Sequence, residues 1–439
     1  MVGRWAAMAM KIGSLQEHLG HRAGPVHDGI AGELFYTDQY NTVWYNTFWS
    51  MIQDAPVSPF DFGSTVNQVK FTNRSADLAR LKANMAAGIN TIIISPRRWG
   101  KSSLVEQAAI ELRAERKNAR VAILDMFACH TFEEFLENLS REVIAASSTK
   151  WQERMTNAKS FFKAVAPRIS LGTELEGEFS VGFDWKEARK HVGEILDLPE
   201  RIAEAKKLRM VVCIDEFQNL DNWEEDLRMQ KLMRAHWQRH KHVTYVLYGS
   251  KRHMMATLFD DSASPFYRFG DIIWLQRIAM EHWTPFIVER FKSTGKSIAP
   301  ELATALALTM GCHSWYVQQL AHFTWTLTRK KAGPEALEAA LQLVMDANTP
   351  LYKLTCETLS NTAINVLKAI ASGESQLTSA EVMRNYRIGT PRNVTKTRDA
   401  LEGKDIIERT DKGYAFLDPG FELWFKREFL GKKVKLVEG

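Results

Sequence analysis

Residues Thr91 to Val105, TIIISPRRWGKSSLV, place Gly100-Lys101-Ser102 at the turn between a β-branched run and a helical pattern. That position suits phosphate chemistry. Backbone N–H groups converge on an anion at a helix N-terminus, where the helix dipole also favours negative charge. Ser95, Pro96, Arg97, Arg98, Trp99, Gly100, Lys101, Ser102 and Ser103 are therefore the candidate nucleotide cradle. Within it Lys101 would reach the β and γ phosphates, and the Ser102 hydroxyl would serve Mg2+. Gly100 permits close backbone approach. Ser95 stands where the pattern G-x-x-x-x-G-K-[ST] has its first glycine, which is tolerable if φ there is negative. Trp99 either points away from the nucleotide or covers it, and the first orientation is favoured.

A phosphate loop needs a second half, and RMVVCIDEF supplies it as an apolar run ending in adjacent acids. Asp215 is suited to hold Mg2+, and Glu216 to orient and deprotonate an attacking water. A third run, VTYVLYGS, ends at Ser250, which could sense the γ phosphate or cap the following helix. Arg97, Arg98, Arg252 and Arg268 could each supply transition-state charge, from this chain or a neighbouring subunit. Arg268, in SPFYRFG, is the preferred choice.

These residues require strands with helices between them. TIIIS, RVAILDMF, RMVVCIDEF, HVTYVLYGS and DIIWLQRI read as strands, whereas SADLARLKANMAAG, SSLVEQAAIELRAERKN and TFEEFLENLSREVIAAS read as helices. Leu78, Leu81 and Met85 share one helical face, and Thr131 with Glu134 makes an N-terminal capping pair. The alternation predicts an α/β fold with a mostly parallel sheet. It lapses between about 151 and 198, where ISLGTELEGEFSVGFDW predicts an inserted hairpin. Past 280 the pattern is helical to about 354.

The C-terminal segment, about 355–430, predicts three helices and a two-stranded wing. Thr390-Pro391 opens the third helix, and Asp411-Lys412-Gly413 turns the hairpin. This is a winged helix-turn-helix pattern, with Arg392, Lys396 and Arg398 as candidate contacts to double-stranded DNA. Protein docking or intramolecular regulation is the alternative, since Asp399 and Glu402 lie on the same helix.

The 439 residues, 45% hydrophobic and 25% charged, exceed one ordinary core and predict several domains. A formal charge of +5 permits a nucleic-acid partner without requiring one. No run of eighteen apolar residues predicts a membrane span, and Cys129, Cys213, Cys312 and Cys356 lack zinc-ligand spacing. A cytoplasmic protein is expected.

Taken with SPFDFG, FTNRSADLARLKANMAAG, YVLYGSKRHMM, SPFYRFG and DPGFELWF, these motifs resemble the archaeal-type P-loop ATPase family. That family is AAA-like, related to the signal-transduction ATPases with numerous domains, and has many bacterial members. The resemblance runs from about residue 57 to 430. It implies a P-loop ATPase core at 57–280, a helical lid at 281–354 and a winged helix at 355–430, followed by a tail at 431–439. It also implies nucleotide, magnesium and catalytic roles for Lys101, Ser102, Asp215 and Glu216. Two features depart from it. Ser314 occupies the proline position of the lid motif GCHSWYVQQL, and residues 1–56 form an extension. Met51 is the expected natural start, with residues 1–50 an upstream translation.

The expected function is an ATP-hydrolysing switch coupled to the winged helix, with ATP and Mg2+ as ligands and a protein partner or self-association also open. The alternatives are a DNA-binding regulator that uses ATP without turnover and a protein-docking scaffold.

Overall fold

The computed structural model describes residues 57–63, 74–148, 169–173, 179–183, 185, 189–222, 226–433 and 436. The N-terminal extension, the Met51 start and most of the first part of the insertion lie outside these residues. From Ser58 onward the chain is one compact unit.

The sheet comprises β1 (Thr91–Ile94), β2 (Ala119–Asp125), β5 (Arg209–Asp215), β6 (Val243–Gly249) and β7 (Asp271–Trp274), in the order β2-β5-β6-β1-β7. Every pairing is parallel. Such a sheet needs helices on both faces, so its strands bury both sides. Ile92, Ile94, Val212, Ile214, Tyr245 and Leu247 face one core, and Ile93, Val211, Cys213, Val246, Tyr248 and Ile273 face the other. The two-residue alternation of each strand thus serves two apolar layers.

Helices α1 (Ser75–Ala87) and α2 (Lys101–Glu115) contribute to the second layer, and α3 (Phe132–Ser147) to the first. The expected cap forms: Thr131 Oγ1 accepts from Glu134 N at 3.2 Å, and Glu134 Oε2 accepts from His130 N at 2.6 Å. The expected hairpin is the antiparallel pair β3 (Ile169–Thr173) and β4 (Phe179–Phe183). Helices α4 (Val192–Leu196), α5 (Leu198–Lys206), α6 (Asp226–Trp237) and α7 (Arg252–Asp260) complete this part.

A separate apolar core is built from α8 (Met280–Lys292), α9 (Pro300–Thr309), α10 (Ser314–Leu327) and the first half of α11 (Pro334–Glu357). Phe60 of the SPFDFG segment enters this core beside Phe291, with ring centroids 5.7 Å apart. Helix α11 carries Leu337, Leu341 and Val344 into that core and Met345 and Tyr352 into the next. A continuous helix therefore crosses the expected boundary near residue 355.

The last core combines α12 (Asn361–Ala371), α13 (Ala380–Tyr386), α14 (Pro391–Gly403), β8 (Ile407–Thr410), β9 (Gly413–Phe416) and α15 (Pro419–Leu430). Ser360, Ser379 and Thr390 cap its first three helices with their side chains. Thr410 pairs with Gly413, so the hairpin turn itself is Asp411-Lys412. Across the seam with α10, Tyr316 donates to Asp418 Oδ2 at 2.6 Å and shares a 2.7 Å hydrogen bond with Tyr352.

Candidate nucleotide site

The C-terminal ends of β1, β5 and β6 converge, and each delivers one part of the site. Strand β1 ends at Ile94, Ser95 is buried, and α2 begins at Lys101. Ser95 is not among the residues with positive φ, which satisfies the condition for replacing glycine. Arg98 and Gly100 do turn through the left-handed region, at φ of 64° and 87°. For Gly100 the demand is conformational, since an added Cβ would meet no protein atom within 4 Å.

Strand β5 brings its two acids to this loop. Ser102 Oγ donates to Asp215 Oδ2 at 2.7 Å, and Lys101 Nζ donates to Glu216 Oε1 at 3.3 Å. Glu216 has a φ of 49°, which turns the chain out of β5, and its N–H donates to Asp215 Oδ1 at 2.8 Å. At the end of β6, Ser250 Oγ donates to Glu216 Oε2 at 2.7 Å. Lys251, which makes no capping hydrogen bond with its side chain, is the N-cap of α7, so the Ser250 hydroxyl serves the acid instead of the helix.

Burial pushes the Asp215 carboxyl up, against the opposing effects of Lys101 and the Ser102 hydrogen bond. For Glu216 burial acts in the same direction, but Lys101 and the bonds from Gln218 and Ser250 outweigh it and hold the carboxyl below its ordinary range. Two neighbouring acids thus receive opposite shifts. Asp215 and Ser102 present adjacent hard oxygens, a small donor set that fits Mg2+, which commonly takes few protein ligands and completes its shell with water and phosphate oxygens.

The arginines have distinct placements. Arg97 is exposed, and its Nε donates to Ser250 Oγ at 3.4 Å. Arg98 stacks over Trp315, 4.3 Å from the ring centroid. The Trp99 ring is buried, edge-on to His313 with centroids 6.3 Å apart, and Arg277 lies 5.4 Å from its centroid. Pro96 and Ser103 are buried in the loop and the first turn of α2. Burial first, then the charges of Arg277 and Arg98, pushes the His313 pKa down to about 3, so the imidazole is neutral at physiological pH. Arg268 is exposed, has a φ of 52° and lies over Tyr267.

Sequence reasoning missed the contact between the predicted wing and this site. Glu408 of β8 accepts from Arg252 Nη1 at 2.6 Å and from Arg277 Nη2 at 3.1 Å, while Arg277 Nη1 donates to Gly311 O at 3.1 Å. One wing carboxylate therefore joins α7, the exit of β7 and the turn before α10. A cavity of about 340 Å³ lies along this joint, lined in part by Pro96, Trp99, Arg252, Arg277, Glu408 and Arg409. Asp405 is also near the phosphate loop: burial raises its pKa, with Arg97, Lys251 and Arg252 opposing. Glu408 is three residues before the hairpin turn, a position with no sequence signal for a contact 156 residues away.

On α14, Arg392 and Lys396 are exposed and line a surface hollow with Pro391, Thr395 and Asp399. Arg398 is instead held by Asp399, at 2.8 Å from Nη2, and lies 5.3 Å from the Tyr414 ring centroid.

Residues 350–427 match the family described as "Probable winged helix domain". No curated protein matches the chain. Among solved structures, a Walker-type ATPase of Pyrococcus abyssi superposes with a TM-score of 0.60 at 17% identity, covering 84% of this chain and 99% of that one. The ORC2 protein of Aeropyrum pernix, solved as ADPNP-ADP complexes, superposes with a TM-score of 0.55 at 13% identity, covering 83% and 93%. No described helix is long and apolar enough to cross a membrane. The strand order, the loop before α2 and these likenesses together identify the chain as having a P-loop ATPase fold with a C-terminal winged helix domain.

Proposed function

We propose that this protein is a Mg2+-dependent ATPase in which nucleotide turnover resets the winged helix domain. The observation that carries the reading is the double contact of the phosphate loop with β5, Lys101 to Glu216 and Ser102 to Asp215. Each loop residue already lies against the acid with which it would share a nucleotide. Lys101 would hold the β and γ phosphates, Ser102 and Asp215 would hold Mg2+, and Glu216 would accept a proton from the attacking water. Bound Mg2+ would supply charge neutralisation on the phosphates. The nucleotide complexes of the Aeropyrum pernix ORC2 protein accord with a nucleotide-binding role. Phosphate release from ATP by the full chain, with and without Mg2+, tests the reading; no release above the uncatalysed rate would overturn it.

The switch would act through the wing. Ser250 contacts Glu216, Arg252 follows it by two residues, and Arg252 binds Glu408. A change at the catalytic acid thus has a short route to β8. The ion pairs are partly exposed, so removing the carboxylate should cost about 1 kcal/mol, equivalent to about fivefold in wing opening. Glu408→Gln is expected to speed hydrogen exchange in β8 and β9 by about that factor while leaving β1 and β5 protected. Unchanged exchange at the wing would remove this route.

Double-stranded DNA is the proposed macromolecular ligand of α14, supported by the exposure of Arg392 and Lys396. Arg398 is already engaged by Asp399 and is a weaker contact. Replacing Arg392 and Lys396 together by alanine should weaken DNA binding and reduce the slope of log affinity against log salt by about 2, one for each lost phosphate contact. An unchanged slope would favour the protein-docking role. Arg268 remains a proposal for an arginine acting on a neighbouring subunit, consistent with its exposed position.

A further inference from the structure

The two oxygens of Glu216 have different surroundings. Among the described residues Oε1 accepts only from Lys101 Nζ, whereas Oε2 accepts from Ser250 Oγ at 2.7 Å, Ser250 N at 3.3 Å and Gln218 Nε2. Gln218 is 1% exposed and lies in the turn Phe217–Asn222 that follows β5. Phe217 anchors the turn between Phe259 and Phe266, with ring centroids 5.8 and 5.3 Å away. The left-handed φ of Glu216 starts it, and Asn219 N donates back to Glu216 O at 2.9 Å. The chain thereby folds the Gln218 amide against the carboxylate that precedes it by two residues.

Gly249 makes room for that amide. Its φ is not in the left-handed region, so the backbone does not require glycine there. Space does: an added Cβ would lie 2.0 Å from Gln218 Oε1 and 2.8 Å from Met255 Sδ. Gln218 Oε1 is buried with no hydrogen-bond partner, an unfavourable arrangement for an amide that a smaller apolar residue would avoid. What the arrangement retains is the bond to Glu216.

We propose that Gln218, seated on Gly249, is a positioning residue that holds Glu216 Oε2 and thereby presents Oε1 to the water that attacks ATP. This rests on the hydrolytic reading above. When Lys101 turns to the phosphates, Oε1 loses this partner and becomes the acceptor for the water proton. Oε2 stays anchored. The Ser250 hydroxyl can rotate, but the packed Gln218 amide has no alternative seat, so it is the fixed member of the pair. Gln218 acts through Glu216 and does not itself meet the substrate.

The test is steady-state ATP hydrolysis by the full chain for wild type, Gln218→Leu, Gly249→Ala, Glu216→Gln and the Glu216→Gln/Gln218→Leu double variant, with thermal melting to establish folding. Gln218→Leu should lower kcat about tenfold or more and change KM for ATP by less than about twofold, because the loss acts on the water and not on nucleotide binding. Gly249→Ala should reproduce this pattern from a residue that makes no hydrogen bond to Glu216. In the Glu216→Gln background, Gln218→Leu should cause no further loss, since both changes act through one group. The proposal is overturned by near-wild-type kcat in Gln218→Leu, by a loss that multiplies with that of Glu216→Gln, or by a KM that rises in step with the fall in kcat. If Gln218→Leu does not fold, Gly249→Ala decides by the same criteria. Wild-type turnover in Glu216→Gln would remove the hydrolytic reading and this proposal together, whereas loss there with normal Gln218→Leu kinetics removes only the proposal.

Discussion

Lys101→Ala is expected to weaken ATP binding about 100-fold while the chain remains folded. The Lys101 ammonium is the buried cation at the start of α2 and would make charge-assisted hydrogen bonds to two phosphates. Their loss corresponds to about 3 kcal/mol, hence the size of the effect. Folding should suffer much less. Among the described residues Lys101 Nζ bonds Glu216, and that carboxylate keeps its hydrogen bonds from Ser250 and Gln218 when the lysine is removed. Titration calorimetry with a non-hydrolysable ATP analogue measures the change, and affinity within about threefold of wild type would place the phosphates elsewhere.

Glu216→Gln should separate binding from turnover. The substitution keeps the shape of the side chain but removes its proton-accepting charge, and loss of a general base commonly costs about 10²–10⁴ in rate. Binding should be at least as tight as in wild type, for a reason visible in the hydrogen bonds. Gln218 and Ser250 both donate to Oε2, so the new amide would keep its oxygen there and turn its NH2 toward Lys101. Two donors then face each other until phosphate draws Lys101 away. Nucleotide relieves that conflict by drawing Lys101 to phosphate, so the variant gains relative to its own nucleotide-free form. Rapid-quench turnover with parallel binding titrations reads both quantities; loss of affinity equal to the loss of rate would assign Glu216 to binding instead.

Much of the fold is legible because it rests on local rules. Largely apolar runs rich in β-branched residues gave five parallel strands, and Thr131 and Thr390 marked helix starts through hydrogen bonds only three residues long. Lys101, Ser102, Asp215 and Glu216 were readable for a related reason: each sits at a strand end or a strand-to-helix turn, where position in the element brings them together. Other features depend on tertiary contacts without a sequence period. Nothing in the order of residues signals that Glu408 meets Arg252 and Arg277, or that Gly249 is small to admit Gln218. Helix α11 runs past the expected boundary near residue 355 because its apolar residues feed two cores in turn, Leu337, Leu341 and Val344 the first and Met345 and Tyr352 the second. The orientation of Trp99 was likewise decided by His313 and Arg277, more than 170 residues away in the chain order.

The most direct test of the central claim is phosphate release from ATP by the full chain, in Mg2+ and in excess chelator, beside Lys101→Ala and Glu216→Gln. The account predicts release that requires Mg2+ and is lost in both variants, the first through binding and the second through chemistry. Release that persists in both variants, or a wild-type protein that binds ATP and Mg2+ but never releases phosphate, would contradict it.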